Sequence, residues 1–398
     1  WRGQSDTETL LGGFDAWGVK ETINKTIGMF AFAVFDRKKR KLIIGRDRLG
    51  EKPLYYGWQG QGTEAIFIFG SELVSLRQHP AFNQPLDRGA IALLMRHNYI
   101  PAPHSIFQNI YKVQPGHLCT VSLESRTVKQ YNYWNFADIA NKAALNKFEG
   151  SAGEAVDNLE EILMSSIKQQ MISDVPLGAF LSGGIDSSTI VALMQAQSDS
   201  PVKTFSIGFH EDQYNEAEYA KEVARHLRTD HTELFVTAKQ SQDVISNLAS
   251  LYNEPFADSS QIPTFLVSQL AKQNVTVSLS GDGGDELFCG YNRYVITNNI
   301  WQNISRLPIS LRSVIASTIT SFSPQILNKI FAPLQRIMPN SLRFTNFGDK
   351  LHKGAGVLNA SDVDQLYLRL VSQWSPETLV LNSAEPATVL NGKTPQLT

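Results

Sequence analysis

Two short turns in this sequence gather the residue types that handle phosphate. The first, Ser182-Gly183-Gly184-Ile185-Asp186-Ser187-Ser188, follows the apolar run 177–181, and the second, Ser280-Gly281-Asp282-Gly283-Gly284-Asp285-Glu286, follows the apolar run 275–279. Paired glycines remove the Cβ atoms that would hold backbone amides away from phosphate oxygens. A helix beginning just after such a turn adds unpaired N–H groups and the positive end of its dipole. An aspartate repels a bare phosphate. Asp186 and Asp285 therefore point to a bridging Mg²⁺, which takes one or two carboxylates together with phosphate oxygens and water.

Glycine pairs alone mean little. At ordinary glycine usage, about two are expected by chance in a chain of this length, and this one has three, at 12–13, 183–184 and 283–284. The weight rests on the strand before each turn, the order of small and acidic residues, and the helix after it. The first turn is not a Walker A loop, because the Gly-x-x-x-x-Gly-Lys-Ser/Thr spacing and its lysine are missing. A turn without the lysine that reaches the β- and γ-phosphates suits cleavage of ATP between α and β, with the departing pyrophosphate held by backbone.

The elements that must position these turns follow from the pattern around them. The run 177–181 is apolar without alternation, as in a strand covered on both faces of a parallel sheet. Helical spacing at Val156, Leu159, Leu163 and Ile167 precedes it. Strands over 203–208, 231–236 and 275–279 alternate with helices over 189–195, 216–227 and 263–272, which predicts βαβ units in a doubly wound parallel sheet. Ligands of such sheets sit beyond the carboxyl ends of the strands, where both turns fall. From 27 to about 134 the pattern changes to short strands (29–35, 41–45, 65–70 and 117–121) with a helix over 88–96, an antiparallel domain. A segment with Pro101, Pro103 and Pro115, then a polar stretch over 141–153, marks the boundary.

Composition excludes several classes. The 398 residues allow two domains, and 36 Lys+Arg against 38 Asp+Glu argues against a general nucleic-acid binder. The basic block Arg37–Lys41 is expected to be a solvated hairpin turn. No apolar run approaches the roughly 18 residues of a membrane span. Two cysteines, Cys119 and Cys289, give no disulfide framework, so a cytoplasmic location is expected. No His/Cys cluster has zinc spacing. His231 reads as a structural histidine, and 254–260, rich in acids and hydroxyls, reads as a pocket rim or a helix N-cap.

With these residues in view, the chain resembles the glutamine-hydrolysing asparagine synthetases. Ser182–Ser188 is similar to the PP-loop of ATP pyrophosphatases, and Leu279-Ser280-Gly281-Asp282-Gly283-Gly284-Asp285-Glu286-Leu287-Phe288 to the second motif of that family. Gly28-Met29-Phe30-Ala31-Phe32-Ala33, Gly45-Arg46-Asp47-Arg48-Leu49-Gly50, Lys52-Pro53-Leu54-Tyr55-Tyr56 and Gly70-Ser71-Glu72 are similar to its glutaminase half. The resemblance implies an Ntn-hydrolase-like αββα glutaminase domain over 1–140, followed by a PP-loop (adenine nucleotide alpha hydrolase-like) synthetase domain over 150–398.

It also implies a reaction: ATP adenylates the β-carboxylate of aspartate, releasing pyrophosphate, and ammonia from glutamine displaces AMP to give asparagine. By position, Leu181 and Ile207 contact the adenosine. Ser280 and Gly281 contact the nucleotide, while Ser182, Gly183, Gly184, Asp186, Ser187 and Ser188 hold the pyrophosphate. Asp186 and Asp285 hold Mg²⁺, Asp6 binds the substrate glutamine, and Asp282 stands where the family places the acidic residue of the acyl-adenylate step, often a glutamate. The small-molecule substrates are aspartate, glutamine and ATP, and a homodimer is usual in the family.

The family's glutaminase uses an N-terminal cysteine as nucleophile, whereas residue 1 here is tryptophan. The chain is therefore expected to be a fragment that does not hydrolyse glutamine, with further basic family segments beyond Thr398. The alternative function is a relative with the same two-domain plan that amidates another carboxylate, on a sugar, a peptide or a ring-closing substrate.

Overall fold

The structure is a computed structural model, which describes residues 2–3, 5–209, 216–337, 347–374 and 379–389. The chain divides into two units. The first comprises 1–149 with 247–258 and 374–395, and the second comprises 150–246, 259–373 and 396–398.

The first unit is built on antiparallel sheets. Its strands are β1 (Ala31–Asp36), β2 (Lys41–Arg46), β3 (Tyr55–Gln59), β4 (Ile66–Gly70), β5 (Ile110–Lys112), β6 (His117–Ser122) and β7 (Thr127–Asn132). They form a sheet in the order β1-β2-β6-β7 and another in the order β4-β3-β5. The basic block is the β1–β2 hairpin turn: Asp36 pairs with Lys41 across the ladder, the Asp36 carboxylate accepts from the N–H groups of Lys38 and Lys39, and Arg40 takes the left-handed conformation. Ile44, Leu54, Tyr56, Val113 and Cys119 form one core cluster. Cys119 has no exposed surface, and burial pushes its thiol up to about 12, so it packs in β6 as its strand context predicts.

Two distant segments complete this unit. In 247–258, Glu254 accepts from Ile106 N–H at 2.8 Å and pairs with Lys112, whose Nζ also donates to Ile100 O at 2.6 Å. In 379–389, Glu385 takes both Nε and Nη2 of Arg96, at 2.6 and 2.7 Å, and Arg88 donates to Leu381 O. Glu254 thus belongs to the first unit. Ser260, the residue before the helix Gln261–Ala271, makes no side-chain capping bond to it.

The second unit carries β8 (Leu177–Phe180), β9 (Lys203–Phe209), β10 (Asp230–Val236) and β11 (Val277–Leu279), all parallel, in the order β10-β9-β8-β11. Helices cover both faces. On one, Ile167, Val191, Ala220 and Ala224 pack with Ala179 and Leu181; on the other, Leu270 and Ala271 pack with Phe205 and Val275. This is the doubly wound arrangement the alternation predicts. Strand order reverses between β8 and β11, which makes that edge the switch point where such sheets open a crevice. The 19-residue helix Ala152–Gln170 opens the unit with a capping box between Ser151 and Glu154. From Gly284 to Val371 the described residues are mostly helical, pinned in part by the buried Arg312, which donates to the carbonyls of Leu307, Leu358 and Ala360. Among the described residues no helix is long and apolar enough to cross a membrane.

Candidate active site

Beyond β8 the chain must turn sharply into a helix, and the turn is held by its own hydroxyls. Leu181 N–H still donates to Phe205 O at 2.9 Å, extending the sheet by one residue. Ser187 Oγ then accepts from Ser182 N–H at 3.1 Å and lies 2.9 Å from Ser182 Oγ. Gly183 has φ +79°, and a Cβ there would lie 2.6 Å from Ala220 N in the neighbouring helix Ala217–Leu227, so only glycine fits. The helix Ile185–Gln195 begins with no side-chain cap, which leaves its first N–H groups free for an anion.

The second turn is built against the first. Gly284 N–H donates to Gly281 O at 3.2 Å, and Ser280 Oγ donates to Asp282 Oδ2 at 2.9 Å. A Cβ on Gly281 would stand 2.8 Å from Ser187 N, and one on Gly284 would stand 2.7 Å from Asp186 Cγ. The glycines of one turn therefore make room for the aspartate of the other.

Between the turns lies a cavity of about 720 Å³, within the roughly 300–1,000 Å³ of small-ligand sites. Phe180, Leu181, Phe205, Ile207, Phe209 and Val267 give it apolar walls, while Ser182, Ser187, Ser206, Thr264 and Ser280 add hydroxyl-bearing residues. Among the described residues the lining also includes five acids, Asp186, Glu216, Asp282, Asp285 and Glu286, and no lysine, arginine or histidine. Tyr291 donates to Glu286 Oε1 at 2.7 Å, and that bond, reinforced by burial, pushes its phenol up to about 12. A nucleotide polyphosphate is repelled by such a lining unless it carries cations. Among the described residues no group of three or more His, Cys, Asp or Glu forms a metal cage. The donor set of separate carboxylates fits a divalent ion that rides on phosphate rather than a resident metal.

Of the residues singled out from sequence, Leu181, Ser182, Asp186, Ser187, Ile207, Ser280, Gly281, Asp282 and Asp285 line this one cavity. Gly183 and Gly184 form the turn beneath it. Ser188 is set back, its hydroxyl buried without a hydrogen-bond partner. Asp6 lies in the first unit, in the first turn of the helix Asp6–Trp17, where its carboxylate accepts from Ser5 and Thr7 hydroxyls. Cys289, just after the second motif, is exposed and in the left-handed conformation at φ 57°. Sequence reasoning passed over Glu216, Tyr291 and the Pro263–Val267 wall. Tyr291, five residues after Glu286, was the one within reach of the motif.

The family described as Asparagine synthase matches residues 158–393, and the Glutamine amidotransferase domain matches residues 1–134. A Methanocaldococcus jannaschii protein named "Putative asparagine synthetase (glutamine-hydrolyzing) 2" is 37% identical over 313 residues, covering 78% of this chain and 58% of that protein. Asparagine synthetase (glutamine-hydrolyzing) 1 of Bacillus subtilis is 32% identical, over 85% of this chain and 49% of its own length. The human asparagine synthetase (glutamine-hydrolyzing) is 28% identical, over 72% and 50%. The chain spans about half the length of these curated relatives.

Proposed function

Because the chain belongs to the asparagine synthase family, with a glutamine amidotransferase domain ahead of the synthase domain, we propose that its cavity binds MgATP and activates the β-carboxylate of aspartate for amidation. The observation that carries this reading is the meeting of the two glycine–aspartate turns at the switch point of a parallel sheet, around a cavity whose described lining has five acids and no basic side chain. The apolar wall of Leu181, Phe205 and Ile207 would take the adenine. The turn Ser182–Gly184 and the N-terminus of the helix Ile185–Gln195 would take the departing pyrophosphate, where charge develops.

An aspartate carboxylate oxygen attacks the α-phosphorus, the bond to the β-phosphate oxygen breaks, and β-aspartyl-AMP forms with release of pyrophosphate. Ammonia, supplied by glutamine hydrolysis in the whole protein with Asp6 binding the glutamine, then attacks the acyl carbon and AMP leaves. Asp282, on the cavity wall, is the carboxylate we assign to taking the proton of the incoming ammonia. Asp186 and Asp285 would hold Mg²⁺, which supplies charge neutralisation on the phosphates when bound.

The test is pyrophosphate release with MgATP, ammonia and a panel of carboxylic acids, beside MgATP binding to the chain. Aspartate-dependent release supports the reading. Release driven by another carboxylic acid with indifference to aspartate replaces the acceptor, and failure to bind MgATP removes the nucleotide site altogether.

A further inference from the structure

One buried polar cluster touches the cavity from behind and has no part in the chemistry above. β9 turns Thr204 and Ser206 toward β10, where they meet His231: Thr204 Oγ1 lies 2.8 Å from Nδ1 and Ser206 Oγ 3.2 Å from Nε2. Thr229 Oγ1 closes the chain of hydroxyls at 2.9 Å from Thr204 Oγ1. Thr204 and Ser206 are almost wholly buried, at 0% and 3% exposure, so their hydroxyls depend on partners inside the protein, Thr229 and the imidazole for Thr204 and the imidazole for Ser206. Ser206 is also a lining residue of the cavity, between Phe205 and Ile207.

The charged groups around the imidazole are unevenly satisfied. Glu233, on the same strand, places Oε1 3.5 Å from His231 Nε2, and that oxygen is buried without a hydrogen-bond partner. From the helix Ala217–Leu227, Lys221 reaches Glu233 Oε2 only at 3.8 Å. Arg225 and Arg228 line a small hollow with Lys221, Thr229, His231 and Glu233. A neutral imidazole fits the hydroxyls, with Nδ1 accepting from Thr204 and Nε2–H directed between Ser206 and Glu233. A charged one donates from both nitrogens, so Thr204 must reverse its hydroxyl and Nε2–H is drawn to the idle carboxylate oxygen.

We propose that His231 is a positioning residue of the nucleotide pocket: its neutral imidazole fixes Thr204 and Ser206, and through them the end of β9 that walls the cavity, and its protonation loosens that wall. Nucleotide affinity then falls in acid for a reason that lies outside the cavity lining. Burial, opposed by Glu233, already holds this histidine below the usual 6.5, which places the loss on the acid side of neutrality. The inference rests on the reading that the cavity takes MgATP.

The experiment is MgATP affinity by calorimetry from about pH 8 to about pH 5.5, for wild type and His231→Gln. The terminal phosphate of ATP also gains a proton in this range, so the quantity read is the difference between the two proteins. Wild type is expected to lose at least about threefold more affinity than the variant. Binding at about pH 8 with parallel curves overturns the proposal; no binding at that pH overturns the MgATP reading along with it. Should the variant fail to fold, the imidazole of wild type is titrated by NMR. Saturating MgATP must lower the His231 pKa by about half a unit, since linkage is reciprocal, and an unchanged pKa overturns the proposal.

Discussion

Carboxylates are treated in opposite ways in the two units. In the first, Asp47 is fully buried and accepts from four backbone N–H groups, those of Phe30, Gly50, Glu51 and Lys52. Glu254 has Lys112 and the Ile106 amide, and Glu385 has the fork of Arg96. In the second unit five acids surround one cavity, where Asp282 accepts from Ser280 and Glu286 from Tyr291, with no basic residue among the described residues of the lining. A carboxylate saturated by its own chain is part of the fold. Several gathered with no basic residue among the described lining are the ones we propose to meet the cation of MgATP, and on that reading the difference in partners separates structural acids from functional ones more sharply than burial does.

The largest effect that would break the comparison lies in the first unit. Lys112→Met leaves Glu254, only 10% exposed, buried beside an apolar side chain, and is expected to cost about 3–5 kcal/mol, as removal of one partner of a buried pair does. Urea unfolding measures it. If the variant unfolds with wild-type stability, Glu254 is not a structural acid and the distinction between the two units fails.

Next is the glycine that lets the two turns form. Gly183→Ala places a Cβ 2.6 Å from a backbone nitrogen at a positive φ, a strain of roughly 1–3 kcal/mol. The first helix turn must move to relieve it, so MgATP affinity should fall by about tenfold or more. Calorimetry at one pH decides this, and unchanged affinity would mean that the turn does not contact the phosphates.

These turns were the legible part of the molecule, because an unbroken apolar strand followed by small residues is a local signal. The parallel sheet was legible for the same reason. β7 was not: Thr127–Asn132 is an exposed polar edge strand whose burial pattern has no alternation to read. The segments 247–258 and 379–389 were also opaque. Their place in the first unit is decided by pairs such as Ile106–Glu254, 148 positions apart, and Arg96–Glu385, 289 apart, and no window of sequence contains both partners. His231 could be read as structural, but the hydroxyls that give it a task come from another strand.

A smaller effect on stability separates the cavity acids from the paired ones directly. Asp285→Asn removes a charge from a crowded acidic cavity, so unfolding stability should stay within about 0.5 kcal/mol of wild type or rise slightly. Its MgATP affinity should drop about tenfold, with the Mg²⁺ dependence shifted to higher concentration. A loss of stability on the scale of Lys112→Met would place Asp285 with the structural acids instead.

The smallest effect concerns the histidine that departs from the first unit's rule of pairing. His97 Nε2 is buried with no hydrogen-bond partner, and burial, opposed by the nearby Glu385, holds the imidazole below its usual 6.5. Its folded pKa is thus lower than its unfolded one, so between the two values the unfolded chain binds more protons and stability rises with pH. The group costs stability in acid and nothing above about pH 7. Replacing it by His97→Gln should flatten the stability profile between about pH 5 and pH 7, by less than about 1 kcal/mol because the ring is only half-buried. His231, shifted in the same direction, remains in both proteins, so the difference between the two profiles isolates His97. Parallel profiles would show that the ring finds a partner when charged, Glu385 being the acid at hand, and that the first unit pairs this group as it pairs the others.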